Sequence, residues 1–122
     1  MNAFAVIRPE DFDFTPPSQG DQARGVMRLS DLLEQSRANI WKMPPSSRGR
    51  RHREPTQEEI FVSLEGTATL LLGEPPVPLE LTRGSLALVK PGTPVQLGND
   101  GAEDAVVLIV GAPPTVGDAE YL

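Results

Sequence analysis

The 122-residue chain contains no cysteine. Disulfides, thiolate zinc sites and cysteine nucleophiles are therefore excluded, and nothing in the composition requires an oxidising compartment. Histidine occurs once, as His52. One chain therefore cannot build a metal centre from several imidazoles or use separate histidines as acid and base.

Long apolar runs and an excess of positive charge are also missing. The longest strongly apolar run, Ala105 to Val110, is far shorter than the roughly 20 residues of a membrane-spanning helix. The first residues lack the basic region of a secretory signal. The 11 Lys and Arg residues against 17 Asp and Glu give a net charge of −6, which repels phosphate backbones and anionic membranes. The sequence predicts a cytoplasmic protein whose partners include neither nucleic acid nor membrane.

Turn-forming residues are abundant, with 11 glycines and 13 prolines. After Met43, strand-like runs alternate with turn sequences such as Glu65-Gly66, Pro91-Gly92 and Asn99-Asp100-Gly101. Closely spaced strands with no helical pattern between them predict an all-β sandwich or barrel.

The ends of the chain have a different character. We predict that residues 1–38 form an N-terminal arm that packs on a barrel of residues 39–111, and that residues 112–122 are a tail docking by its last two residues. In the arm, Phe4 to Ile7 is a candidate strand, Pro9 to Arg24 reads as a loop, and Ser30 is a candidate N-cap for one short helix.

Two predicted strands carry apolar residues on both faces. Glu59 to Leu64 and Ser85 to Val89 each alternate in this way. A chain of this size rarely has enough mass to cover both faces of its sheets, so the cover comes from the arm or from a second subunit. We expect a homodimer built on a sheet surface.

Two stretches each carry a set of regularly placed residues: His52, Glu59 and Gly66 in the first, and Gly84, Gly92 and Asn99 in the second. This spacing resembles the two conserved motifs of the cupin superfamily, and the resemblance covers about residues 40 to 111. It implies a small single-domain cupin: an all-β, double-stranded β-helix (jelly-roll) barrel with at most one short helix.

The resemblance also implies one divalent transition metal held by three histidines and a glutamate. This chain departs from that set, because Glu54 stands where the second histidine belongs and Val95 where the third belongs. A valine side chain donates nothing to a metal. The donors that remain are His52, Glu54 and Glu59, a hard, anionic set that would bind Mn, Fe, Zn or Mg weakly.

The alternative is a barrel without metal. Glu54 and Glu59 would then be neutralised by Arg50 and Arg48, and His52 would be a hydrogen-bonded barrel residue. A lost ligand lowers metal affinity steeply, so we expect either no metal or one weakly bound divalent ion.

Strand alternation indicates which side chains share the barrel interior. On an extended strand Arg50, His52 and Glu54 lie on one face, where they can point inward and meet Glu59 from the next strand. Glu58 and Glu59 are adjacent, so one of the two lies outside.

Several further side chains have two interpretations. Arg48 and Arg50 are salt-bridge partners of the local glutamates or, at the barrel mouth, a clamp for a ligand carboxylate or phosphate. Gln57 and Gln96 are candidate polar contacts in the cavity. The remaining candidates are apolar and can form core or ligand surface: Phe61, Leu70, Leu72, Val95, Leu97 and Trp41.

The sequence leaves three functions open. The leading hypothesis is that the barrel binds a small organic ligand, either anionic or neutral, through Arg50, His52, Glu54, Gln57, Glu59, Phe61 and Gln96. The alternative is a metal-dependent oxygenase, isomerase or lyase acting on a small acid or phenolic substrate, with His52, Glu54 and Glu59 as ligands. A structural dimeric barrel without any ligand is the third.

Overall fold

The protein is described by a computed structural model covering residues 3–114 and 118–122. Ten strands lie within these residues: β1 (Gly25–Arg28), β2 (Arg37–Met43), β3 (His52–Arg53), β4 (Glu58–Glu65), β5 (Ala68–Leu72), β6 (Val77–Leu81), β7 (Leu86–Val89), β8 (Val95–Gly98), β9 (Ala105–Ala112) and β10 (Glu120–Tyr121). Two single turns of 3₁₀-helix, Pro9–Asp11 and Ser30–Leu32, complete the regular structure of these ranges. No helix within them is long and apolar enough to cross a membrane.

The strands form two five-stranded antiparallel sheets. The first has the order β1-β2-β9-β4-β7 and the second the order β10-β3-β8-β5-β6. A buried cluster that includes Met43, Phe61, Leu70 and Val95 joins the two sheets. This architecture confirms the predicted double-stranded β-helix.

Pairing of β2, β9 and β4 aligns their inward side chains in three rows across the first sheet. We call them the rim row (Arg37, Gly111, Glu59), the middle row (Asn39, Ile109, Phe61) and the floor row (Trp41, Val107, Ser63). Exposure falls from 9% at Glu59 to 2% at Phe61 and 1% at Ser63. One end of the barrel is therefore filled with apolar side chains, while the other is lined by polar ones.

The N-terminal arm differs from its prediction. Residues Phe4 to Ile7 form no strand, and Phe4 and Val6 are 79% and 65% exposed. The predicted helix is a single 3₁₀ turn, with Leu29 at the N-cap position. Ser30 begins that turn, and its hydroxyl bonds the backbone of Ala38 in β2 instead of capping a helix.

The C-terminal residues extend the second sheet. In β10, Glu120 pairs with Arg53 and Tyr121 with His52, and the amide of Leu122 donates to the carbonyl of Arg51. The residues before β10 include 115–117, which lie outside the described ranges. This pairing brings Tyr121 next to the only histidine.

Gly66 closes the turn between β4 and β5 in a conformation that other residues rarely adopt. Its φ is +68°, and a Cβ atom there would press against the backbone of Asp104 and Ala105. Gly84 has a similar φ of +82° but nothing within 4 Å of a Cβ position. Of these two glycines, Gly66 alone combines backbone strain with a steric conflict.

Alanine at Gly66 and at Gly84 should lower the free energy of unfolding by different amounts. Gly84→Ala should cost about 1 kcal/mol from backbone strain alone, and Gly66→Ala should cost about 2–4 kcal/mol because the backbone at Asp104 must also move. Urea unfolding of both variants measures the difference. Equal losses would contradict the close approach of Gly66 to Asp104.

Candidate functional site

A cavity of about 530 Å³ opens between the two sheets at the polar end of the barrel. Its walls come from β1, β2, β4 and β9 of the first sheet and from β3, β8 and Tyr121 of the second. Its volume lies within the range of pockets that hold small organic molecules, about 300–1,000 Å³.

The rim row sets the charges of this cavity. Gly111 lies between Arg37 and Glu59 in the register of three adjacent strands. A Cβ atom on Gly111 would overlap the side chain of Gln57, so the glycine leaves room for that amide beside the rim. The Gln57 amide nitrogen donates to the carbonyl of Pro113 at 2.9 Å.

Glu59 is a buried carboxyl group, 9% exposed. Loss of hydration on burial, reinforced by the neighbouring charge of Glu54, raises the pKa of Glu59 to about 7, and Arg37 opposes this rise. Near neutral pH the carboxyl is therefore divided between its neutral form, a hydrogen-bond donor, and its ionised form, an acceptor.

His52 is held in one orientation by the backbone two residues before it. Its Nδ1 lies 3.0 Å from the carbonyl oxygen of Arg50, which can only accept, so in the neutral ring Nδ1 carries the proton. Nε2 then has the lone pair and lies 3.9 Å from Oε1 of Glu54. These two groups give the cavity an adjacent imidazole and carboxylate.

Two arginines at the cavity stack on aromatic rings. The Arg50 guanidinium carbon lies 3.7 Å from the ring centre of Tyr121, and the Arg24 carbon lies 4.7 Å from that of Trp41. Arg24 is 8% exposed and donates to the carbonyls of Gln19 and Asp21. Arg50 is exposed and donates to the side chain of Gln19.

Asn39, in the middle row, presents an unsatisfied acceptor. Its side-chain oxygen is buried and has no hydrogen-bond partner among the described residues. An unpaired buried polar atom costs about 1–3 kcal/mol, which a donor on a bound molecule would recover.

The structure brings together most of the residues selected from sequence. The cavity lining includes Arg50, His52, Glu54, Gln57, Glu59 and Phe61. Glu59 faces inward and Glu58 is exposed, as alternation predicted. Among the apolar candidates, Trp41, Val95 and Leu97 also line the cavity, whereas Leu70 belongs to the packed core.

Two polar side chains lie elsewhere than the sequence analysis placed them. Gln96 is not part of the lining, because Val95 and Leu97 take the inward positions of β8; its amide nitrogen donates to the carbonyl of Gly49 instead. Arg48 forms its ion pair with Asp100, not with a local glutamate. Arg24, Arg37 and Asn39 also line the cavity, although no sequence motif singled them out; Arg24 directly precedes β1, and Arg37 and Asn39 lie on β2.

The residues present do not fit the metal site that the superfamily resemblance implies. Within residues 3–114 and 118–122, no three histidine, aspartate or glutamate side chains are grouped so as to hold a metal ion. Val95 is the residue opposite His52 in the sheet and is 1% exposed, so a hydrocarbon side chain fills that position. We therefore derive no step through a metal.

The charged side chains of the cavity lining determine which molecules the cavity attracts. Four guanidinium groups line the cavity (Arg24, Arg28, Arg37 and Arg50) against three carboxyl groups (Asp31, Glu54 and Glu59), in a chain whose net charge is −6. The lining therefore attracts anions where the chain as a whole repels them. A carboxyl with a pKa near the ambient pH can also donate or accept a proton.

Comparison of the fold with solved structures finds similar barrels of several descriptions. The polyketide cyclase RemF from Streptomyces resistomycificus superposes with a TM-score of 0.83 at 16% identity, covering 98% of this chain and 85% of that one. A sugar phosphate isomerase from a cupin superfamily, from Silicibacter pomeroyi, gives 0.73 at 22% identity over 88% and 75%. A predicted oxalate decarboxylase from Thermotoga maritima gives 0.72 at 20% identity over 89% and 99%. At these identities the likeness is one of fold.

Sequence comparison gives the family. No curated protein sequence matches the chain significantly. A family model described as "Cupin domain" matches residues 39–111, which is more than half of the chain and spans β2 to β9. The chain belongs to the cupin family.

Proposed function

We propose that the protein binds a small organic acid in the cavity of its barrel. The observation that carries this proposal is the lining: a cavity of about 530 Å³ concentrates four guanidinium groups in an otherwise acidic protein. The ligand's carboxylate or phosphate pairs with guanidinium groups at the rim, where Arg50 is exposed and uses one of its five N–H donors on Gln19 within the described residues.

The rest of the lining specifies the body of this ligand. Trp41, Phe61 and Ile109 provide an apolar wall on one side of the cavity. Asn39 accepts a hydrogen bond from a hydroxyl or N–H group of the ligand, because its buried oxygen has no partner among the described residues. The proposed ligand class is therefore an acid that also carries a hydroxyl or amine on a partly apolar skeleton.

The structural neighbours agree with this class in a general way. The names of three of them specify polyketides, sugar phosphates and oxalate, all of which are small molecules with oxygen functions. Their similarity to this chain is one of fold, so it supports only the proposal that the barrel encloses a small molecule. The class of ligand is inferred from the cavity residues of this chain.

Proton transfer within the bound ligand is the second candidate function. Glu59 favours it, because a buried carboxyl faces the same cavity as the imidazole and carboxylate of His52 and Glu54. After a ligand has been found, its exchange of carbon-bound hydrogen in heavy water tests the idea by NMR. Exchange that persists in Glu59→Gln, with the ligand still bound, would exclude Glu59 as the base.

Ligand binding is testable with the intrinsic fluorescence of Trp41, the single tryptophan, which lies in the cavity wall. We expect hydroxylated or aminated organic acids to change this fluorescence and to raise the melting temperature. Arg50→Gln should weaken binding about 10- to 100-fold, since it removes a charge-assisted hydrogen bond worth about 1.5–3 kcal/mol.

Arg48→Gln is the matched control, because Arg48 is an exposed arginine two positions away that pairs with Asp100 outside the lining. Equal weakening by both substitutions would point to a general charge effect and contradict the proposed contact. A screen of organic acids in which neither fluorescence nor melting temperature changes would reject the ligand class.

Glu59 predicts how stability depends on pH. Because its pKa is raised from 4.5 to about 7, the folded protein binds a proton that the unfolded chain has already lost between these values. The free energy of unfolding therefore falls as pH rises through this interval, by up to about 3 kcal/mol from this group. Glu59→Gln should remove this part of the pH dependence.

Urea unfolding at about pH 5 and about pH 8 measures the effect. We expect Glu59→Gln to gain stability over the wild type at the higher pH and to differ little at the lower. The exposed neighbour Glu58 provides the control Glu58→Gln, which should follow the wild type at both. A wild-type pH profile unchanged by Glu59→Gln would show that Glu59 is not a buried neutral carboxyl.

Metal content separates binding from metal-dependent catalysis. Protein purified without chelator and without a metal-affinity column should contain far less than one equivalent of any divalent transition metal, because three donors are not assembled in the described residues. Elemental analysis gives this number. A stoichiometric metal that is lost in His52→Ala would contradict the expectation.

A further inference from the structure

The four guanidinium groups of the cavity lining fall into two pairs. In the first pair, Arg24 and Arg50 approach each other at the loop before β1. A Cβ atom on Gly20 would lie 2.7 Å from a terminal nitrogen of Arg24 and 3.7 Å from Cγ of Arg50. The second pair, Arg28 and Arg37, comes from β1 and β2. We call these the loop pair (Arg24 and Arg50) and the strand pair (Arg28 and Arg37).

The strand pair lies on the cavity side of β1 and β2. Arg28 is the register partner of Asn39, and Arg37 precedes Asn39 by two residues on β2. Residues that are diagonal in this way on adjacent strands are about 7–8 Å apart, a distance that long side chains span. Both side chains line the cavity, so the two guanidinium groups of this pair can contact one anion.

The two pairs are separated along β2. Arg24 stacks on Trp41, and Arg37 lies four residues before Trp41, which corresponds to roughly 13 Å at about 3.3 Å per residue. The loop pair cannot move toward the strand pair without losing its stacking on Trp41 and Tyr121. Asn39 lies halfway between Trp41 and Arg37, and its buried side-chain oxygen has no partner among the described residues. An unused acceptor therefore lies between two separate cationic positions.

The loop pair has no carboxylate partner. Arg24 is 8% exposed, yet neither Arg24 nor Arg50 forms an ion pair within the described residues. Arg24 donates to two backbone carbonyls and Arg50 to the amide oxygen of Gln19. Burial lowers the pKa of the Arg24 guanidinium, and the charge of Asp21, an exposed residue outside the lining, opposes this fall. Buried charges are usually paired, so an anion in the cavity would supply the partner that Arg24 lacks.

The strand pair faces two carboxyl groups that do not cancel its charge. Asp31 lines the cavity but forms no ion pair within the described residues, and the same is true of Arg28. Glu59 shares the rim row with Arg37 and is only partly ionised near neutral pH, because burial raises its pKa to about 7. Two permanent positive charges therefore face fewer than two negative ones, which leaves this pair attractive to an anion.

We propose that the ligand carries two anionic groups, one bound by the loop pair and the other by the strand pair. This inference rests on the proposed binding of an organic acid and narrows the class of that acid. The hydroxyl or amine that donates to Asn39 then lies between the two anions. Guanidinium groups bind carboxylate and phosphate in the same forked geometry, so the class includes hydroxylated or aminated dicarboxylic acids and phosphorylated hydroxy acids.

Matched acids that differ by one anionic group test the proposal. Malate, α-hydroxyglutarate and α-hydroxyadipate carry a second carboxylate where α-hydroxybutyrate, α-hydroxyvalerate and α-hydroxycaproate carry a methyl group. Glycerate phosphorylated on its terminal hydroxyl, compared with glycerate, forms the corresponding phosphate pair. We expect at least one doubly anionic acid to bind the wild type about 10- to 100-fold more tightly than its partner, as measured by the fluorescence of Trp41 at one ionic strength.

Arg28→Gln should remove this advantage and leave the affinity for the singly charged partner nearly unchanged, because the loop pair still binds one anion. The Arg28 side chain is exposed and has no ion pair within the described residues, so circular dichroism should remain that of the wild type. Arg28→Lys keeps the charge and should restore part of the advantage. Arg83→Gln is the matched control, because Arg83 is exposed and outside the lining; it should keep the full advantage.

The outcomes separate this proposal from the one on which it rests. If singly charged acids bind as tightly as their doubly charged partners, acid binding stands and the two-anion proposal is overturned. The same conclusion follows if the advantage survives in Arg28→Gln or is lost equally in Arg83→Gln. If no acid of either kind changes the fluorescence or the melting temperature, both proposals are overturned. An advantage that Arg28→Gln removes supports the proposal, and the acid that shows it identifies the second anion as carboxylate or phosphate.

Discussion

The register of β2, β9 and β4 is the constraint on which the site depends. It aligns Arg37, Gly111 and Glu59 across three strands, so a glycine separates a guanidinium group from a buried carboxyl. Desolvation keeps that carboxyl near its midpoint of ionisation at neutral pH, and Arg37 limits the rise of its pKa. A slip of one residue in either pairing would turn a charged side chain of the rim row away from the cavity.

The sequence predicted those parts of the site that depend on local alternation and on motif spacing. It selected His52, Glu54 and Glu59, and it predicted that Glu58 and Glu59 lie on opposite faces. Arg37 was out of reach, because it enters the cavity through pairing with Gly111, far along the chain. The position of Gln96 was hard to predict for a different reason. Burial of Val95 and Leu97 decides which residues of β8 face the interior, and the polarity of Gln96 alone does not reveal this.

This chain keeps the cupin barrel but differs from the superfamily's metal-binding motifs in the side chains that line the cavity. With Val95 opposite His52, the imidazole is paired with a carboxylate and a carbonyl. Guanidinium groups from the N-terminal strands supply positive charge to the same cavity. Fixed cations in the wall can neutralise an acid, although they lack the open coordination positions through which a metal activates a bound molecule.

The cavity walls also have a consequence for folding. They join Arg24, near the start of the first sheet, to Tyr121, in the last strand of the second. Contacts so distant in sequence form late, because closing long loops costs entropy before any contact repays it. During synthesis the cavity wall is therefore completed only when β10 pairs with β3, after the residues of both sheets' other strands have been made.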